Sequence, residues 1–417
     1  MGLICIPCEV MLREFDAKLL LAVRLASKFN HSILIGYDKY FNHILPRLGP
    51  VALLEKSMSS LMFKARIKPA KDNKGFVMIS DEEGINDLLE TPLSFLTRVD
   101  TEAWDFIDCY GAWGEYDKQF YGEHFSRHAQ KIIVTGNCRS DLLNHLGRAF
   151  YSDLIDSINT LFGNFYLVSD NFSVDHFDPN YQPPRFNVTE KAWDKRMKEW
   201  EWQTSVHRSR RDHMAMVIKN IFKSSDFQDN IVIRPHPVYD SRFWSDNFSL
   251  NRRVSIILKH SADPWIMASL GVISSGCTLG LQAIAANKKS IHVQTEANLE
   301  KKSLTALLSP AAINAQELLR EIQSSPSISM ANKYWDFDGS SSERIAGILN
   351  KGALSLPKHS SPIKLYRVDG LLPSPPKWLP LSLGEVQAKI NNWSTILSIQ
   401  TPSVRLVSPG VFLLQPV

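Results

Sequence analysis

The chain has no apolar run long enough to cross a bilayer, which takes roughly 20 residues. Its apolar start, Met1-Gly-Leu-Ile-Cys-Ile-Pro-Cys8, is interrupted by Glu9, Arg13, Glu14 and Asp16, so it reads as a first strand and not as a signal or anchor. Ile6 stands where an N-myristoylation signal needs Ser or Thr. The expectation is a cytoplasmic protein, with peripheral contact at the inner membrane left open. Cysteine is scarce: five residues, an odd number, argue against a secreted disulfide framework. Cys5 and Cys8 form a CxxC, but no second pair accompanies it, and structural thiols are expected. Charge of one sign is also lacking. A net charge of +4 over 417 residues is too mild to argue for nucleic acid, although it suits anionic substrates or an anionic surface. No repeat of fixed period occurs, and no DxD-like loop points to a metal.

What is present is an ordinary globular composition, 44% hydrophobic and 22% charged, at a length that favours two domains. After the first strand, apolar residues recur at helical spacing from Leu12 to Phe29, and Ser32–Gly36 reads as the next strand. Further strands are expected at Gly75–Ile79, Phe106–Tyr110 and Lys131–Thr135, separated by helix-length segments. Such alternation implies an α/β fold with a parallel sheet covered on both faces. A new unit begins near Phe165. It continues through a long helical region ending near Lys223, then strands at Ile231–Arg234, Arg253–Leu258, Gly271–Ile273 and Ser290–Val293. Asp263-Pro264 reads as a helix start with Asp as cap. The division is 1–163, 164–350 and a proline-rich extension, 351–417, with one helix-like piece from Gly384 to Leu397. Whether that extension crosses back onto the first domain or meets a partner stays open.

Three loops carry candidate chemistry, because the carboxyl ends of parallel strands are where open α/β sheets hold ligands. A histidine at a strand end, His236 followed by Pro237, is placed to donate to a phosphate oxygen, with Arg234 on the same strand face. Ser274, Ser275 and Gly276, leading into a helix at Thr278, offer hydroxyls and backbone N–H groups to an anion. Asp81, Glu82 and Glu83, before Gly84, crowd three carboxylates, which raises the pKa of at least one and suits a general base. Each feature has an ordinary alternative: a structural histidine, a helix cap, a solvated acidic loop.

Taken together and in this order, the acidic loop, the His-Pro and the Ser-Ser resemble the motif set of bacterial sialyltransferases. The chain is also similar to the bacterial surface carbohydrate biosynthesis protein family, in the style of capsule Kdo transferases. The resemblance runs from about Pro7 to Val293. It rests on Glu9, Arg13-Glu-x-Asp16, Asp81-Glu-Glu-Gly84, Ala112-Trp-Gly114, Thr135-Gly-Asn-x-Arg-x-Asp-Leu142, Arg234-Pro-His-Pro237, Pro264-Trp-Ile266 and Ser275-Gly-Cys-Thr-x-Gly280. Cys138 departs from it, where a proline is expected, and the last 120 or so residues are not covered.

The resemblance implies two Rossmann-like domains facing across a cleft (GT-B). It implies a glycosyltransferase moving a 2-keto sugar acid, Kdo or a nonulosonic acid, from a CMP-activated donor to a glycan or lipid-linked acceptor. His236 and Ser274/Ser275 would bind the CMP phosphate and Glu82 would deprotonate the acceptor, with Glu83 and Asp81 beside it. Arg13, Glu14, Asn137 and Arg139 would lie on the acceptor side. No cofactor other than the CMP-sugar substrate, no metal and no nucleic-acid partner is implied. Rival readings are a CDP-polyol phosphotransferase, a UDP-sugar epimerase and a noncatalytic assembly protein.

Overall fold

A computed structural model describes residues 2–82, 96, 98–170, 172, 190–235, 241–295, 303–325, 334–357, 365–373, 378–379 and 381–417. Strand β1 (Leu3–Cys8) is buried along its whole length, as a strand covered on both faces of a parallel sheet must be. Helix α1 (Met11–Phe29) follows, closed by Asn30 in the left-handed conformation. The chain then returns as β2 (Ser32–Tyr37), parallel to β1. β3 (Ala52–Glu55), β4 (Phe76–Ser80), β5 (Cys109–Ala112) and β6 (Ile132–Val134) extend the sheet in parallel on the other side of β1. The strand expected at Phe106–Tyr110 starts only at Cys109, because Ala103–Phe106 is helical.

Two short helices, α2 (His145–Phe150) and α3 (Ser152–Phe162), lead to the second sheet. Its strands are β7 (Phe165–Ser169), β8 (Asn230–Arg234), β9 (Val254–Ile256), β10 (Gly271–Ser274), β11 (Lys289–Val293) and β12 (Ala311–Ala312). Their order is β12-β11-β10-β7-β8-β9, and every pair is parallel. The helices that matter here are the long α4 (Glu190–Ile221), α5 (Asp263–Ala268) and α6 (Thr278–Ala285). Asp263 is not the cap anticipated for α5. Ala262 holds that position and Asp263 is the first helical residue, with no side-chain cap bond.

The chain then returns to the first domain. Helix α7 (Ser341–Ser355) packs on α1 and on β3 and β4, so the second domain closes before residue 341 and not at 350. Helix α8 (Leu383–Leu397) packs on α1 and α2. The hairpin β13 (Ser403–Ser408) and β14 (Val411–Gln415) completes an eight-stranded sheet, β14 running antiparallel to β2. This addition requires a glycine at position 36. Its φ is +141°, a Cβ there would overlap the carbonyl of Gly410, and Tyr37 N–H donates to that carbonyl at 2.9 Å. All five cysteines are buried, and none of them forms a disulfide. Among the described residues no helix is long and apolar enough to cross a membrane.

Candidate functional site

The loops after β4, β5 and β6 lie side by side at the carboxyl edge of the first sheet, and hydrogen bonds lash them together. The Asp81 carbonyl accepts from the Trp113 indole N–H at 2.7 Å and from the Asn137 amide at 3.1 Å. The Glu82 carbonyl accepts from Arg139 Nη1 at 3.3 Å, and the Glu82 N–H donates to the Lys56 carbonyl. Ala112-Trp-Gly114 and the Asn137–Arg139 turn therefore serve to hold the acidic loop. Asn137 also caps its own turn, accepting from the Arg139 N–H at 2.9 Å.

Cations answer the crowding of carboxylates. Asp81 pairs with Arg98 at 3.3 Å. Glu82, 3% exposed, has Oε1 at 3.4 Å from Lys18 Nζ and Oε2 at 3.8 Å from Arg139 Nη1. Oε2 is buried and has no hydrogen-bond partner among the described residues. Lys18, itself buried, donates to the Pro7 carbonyl and to Glu14 Oε2, both at 2.9 Å. Burial alone would push this ammonium down, but Glu14 and Glu82 outweigh it and hold its pKa above the ordinary lysine value. Burial would likewise raise Glu14, yet Lys18 and Arg13 keep it below the usual range. The Glu14 carboxylate also accepts from the N–H groups of Glu9 and Val10, satisfying donors at the start of α1.

Of the expected acceptor-side residues, Arg13 keeps a partly exposed side chain and donates to Glu14 at 3.0 Å. Glu14, Asn137 and Arg139 are buried and act on other protein groups. Glu83, Gly84, His236 and Pro237 lie outside the described residues.

On the second sheet Arg234 ends β8, 7% exposed, and donates to the carbonyls of Lys259 and His260 at 2.8 and 2.9 Å. Burial lowers its pKa to about 10. Ser274 and Ser275 are buried at the end of β10, and the turn continues through Gly276 at φ +81° into Thr278, the first residue of α6. Helix α6 packs directly on the Cys138–Leu143 turn that carries Arg139, as does α5. Helix α6, which follows the Ser274–Gly276 turn, and the acidic loop thus both meet this one short segment. Asp263 of α5 is buried there too. Burial raises its pKa to about 7, with Asp16 adding to the rise and Arg139 and Arg234 opposing it.

Beside this contact a cleft of about 750 Å³ opens between the domains. Leu12, Phe15 and Phe150 line it from the first domain, Leu258 and His260 from the second, and Lys389 from α8. Among the described residues no group of three or more His, Cys, Asp or Glu side chains is placed to hold a metal ion.

The sequence pattern did not single out Lys18 or Asp263 as site residues. For Lys18 a signal existed: it lies one helical turn after Glu14 on a helix whose same face is otherwise apolar.

No family model matches the chain, and no curated protein does. Solved structures do. A UDP-GlcNAc 2-epimerase from Methanocaldococcus jannaschii, in complex with UDP-GlcNAc and UDP, superposes with a TM-score of 0.55 at 15% identity, over 84% of this chain and 100% of that one. The S. aureus MnaA–UDP structure gives 0.54 at 11% identity, over 84% and 96%. The UDP-GlcNAc 2-epimerase from Neisseria meningitidis gives 0.51 at 13%, over 84% and 99%. The architecture they share with this chain is the GT-B fold: two Rossmann-like domains facing across a cleft.

Proposed function

We propose that this chain is a glycosyltransferase that moves a 2-keto sugar acid, Kdo or a nonulosonic acid, from a CMP-activated donor to a surface-glycan acceptor. The observation that carries the reading is Glu82: a buried carboxylate beside the Arg139 turn on which the second domain packs, held through one oxygen by Lys18, its second oxygen 3.8 Å from Arg139 and without a hydrogen-bond partner among the described residues. In this reading Oε2 takes the proton of the acceptor hydroxyl. The hydroxyl oxygen then bonds to the anomeric carbon of the sugar acid as that carbon's bond to the CMP phosphate oxygen breaks. CMP departs against the backbone N–H groups of the Ser274–Thr278 turn and the positive end of α6, with His236 as a further donor. The motif resemblance supports the donor class, and the packing of α6 on the Arg139 turn supports the proximity of the two loops.

The test is CMP release from CMP-Kdo and CMP-sialate, with a thermal-shift comparison of cytidine and uridine nucleotides. Glu82→Gln is expected to lower kcat on the order of 10²–10⁴-fold while the stabilisation by CMP persists. Full turnover in that variant removes Glu82 from the role.

A second reading follows from the structural neighbours that are UDP-GlcNAc 2-epimerases, whose whole length this chain matches. An epimerase would convert a UDP-sugar with no acceptor present and leave CMP donors untouched, so the same assay with UDP-GlcNAc separates the two.

A further inference from the structure

We infer that Lys18 is the positioning residue for Glu82, selecting which carboxylate oxygen meets the substrate; the inference rests on the proposed role of Glu82. Its ammonium lies at the centre of a chain of contacts with one fixed end. Glu14 cannot move, because its two oxygens are engaged by the N–H groups of Glu9 and Val10 and by Arg13. Lys18 is fixed in turn by Glu14 and by the Pro7 carbonyl at the end of β1. Its remaining reach, 3.4 Å, goes to Glu82 Oε1 and to no other carboxylate among the described residues. The result is an asymmetric Glu82: Oε1 is held by α1 through Lys18, and Oε2, 3.8 Å from Arg139, has no hydrogen-bond partner among the described residues.

Placing an ammonium on the buried face of a helix is unfavourable by several kcal/mol unless it is paired. An apolar side chain at position 18 would fill that face with no such penalty. Lys18 and Glu14 lie on the same helix and would remain a satisfied pair without Glu82. The third contact is therefore the one that a purely structural pair does not need.

The experiment is a double-mutant cycle. Lys18→Met is expected to lower kcat by ten- to a hundred-fold with the KM for the sugar nucleotide within two-fold of wild type, and Lys18→Arg to recover part of kcat. In the Glu82→Gln background, Lys18→Met is expected to leave the residual kcat unchanged. An equal further loss in that background shows that Lys18 does not act through Glu82 and overturns the inference. Turnover of neither CMP nor UDP donors would defeat the functional reading instead. In that event the same four proteins are compared by their urea midpoints. Coupled effects of the two substitutions support the contact, and strictly additive ones overturn it.

Discussion

Asp263 shows how one side chain at the domain contact sets a pH response. Its carboxyl is buried among helices α5 and α6 and the Arg139 turn, and burial lifts its pKa from 3.8 to about 7 against the pull of Arg139 and Arg234. A carboxyl whose pKa is higher in the folded state binds its proton more tightly there, so it favours folding at low pH. That contribution is complete below about pH 4 and is lost as the pH rises to about 7, a span of about 4 kcal/mol. Asp117, buried against the Trp113 N–H, is raised to about 7 in the same sense. Asp263→Asn is therefore expected to raise the urea midpoint above that of wild type at pH 8, with the gap closing towards pH 4. Parallel midpoint curves across that range would exclude the assignment. That Asp81, Glu82, Asn137 and Arg139 lie in loops after strands was legible in the sequence, because such loops advertise themselves by turn residues and charge. The spacing of Lys18 from Glu14 was visible but its burial was not, and Asp263 read as a helix cap, since only the packing shows which face a charged helical residue occupies.

Among the elements, the first two strands and α1 follow from periodicity alone, and most boundaries in the second sheet fall within a residue or two of their expected places. β3 escaped because four residues carry too little pattern to distinguish a strand. The hairpin β13–β14 escaped for a different reason. Its alternating residues flank Pro409-Gly410, a recognisable turn signal, but the surrounding proline-rich composition hides it. What makes the hairpin add to the sheet is a close backbone approach at Gly36, which no local pattern encodes. Gly36→Ala is expected to lower stability on the order of 2–4 kcal/mol, read as a fall in the urea midpoint and faster amide exchange in β2 and β14. Gly347 of α7 supplies the control. Among the described residues no atom beyond its own stretch of helix lies within 4 Å of where its Cβ would be, so Gly347→Ala is expected to stabilise the helix by about 0.5–1 kcal/mol.

For the whole molecule the decisive feature is that the chain leaves the first domain, builds the second and comes back. Contacts between strands some 375 residues apart cannot be read from local periodicity, which is why the destination of residues 351–417 stayed open until the structure was known. The return places α8 beside the crossing point, where a single hydroxyl bridges two parts of the chain. Tyr151 donates to Asp16 of α1 at 2.8 Å and accepts from Ser261 of the second domain at 3.3 Å. Lys389 of α8 donates to the other oxygen of Asp16 at 2.8 Å, and Phe150 stacks on Trp393 at 4.0 Å. These groups line or flank the interdomain cleft. Removing the hydroxyl cuts one hydrogen-bonded link to the second domain, with the packing of α5 and α6 on the Cys138–Leu143 turn intact and α8 still anchored by Lys389 and the ring stack. Each such bond contributes about 1 kcal/mol net, too little to unfold either domain but comparable to the differences that set domain closure. Tyr151→Phe is thus expected to leave the thermal midpoint within a few degrees of wild type and to broaden the interdomain distance distribution in small-angle scattering. Lys389→Ala, which loosens α8 alone, is expected to change the scattering far less, and equal broadening in the two variants would show that the hydroxyl bond to Ser261 does not restrain the domains.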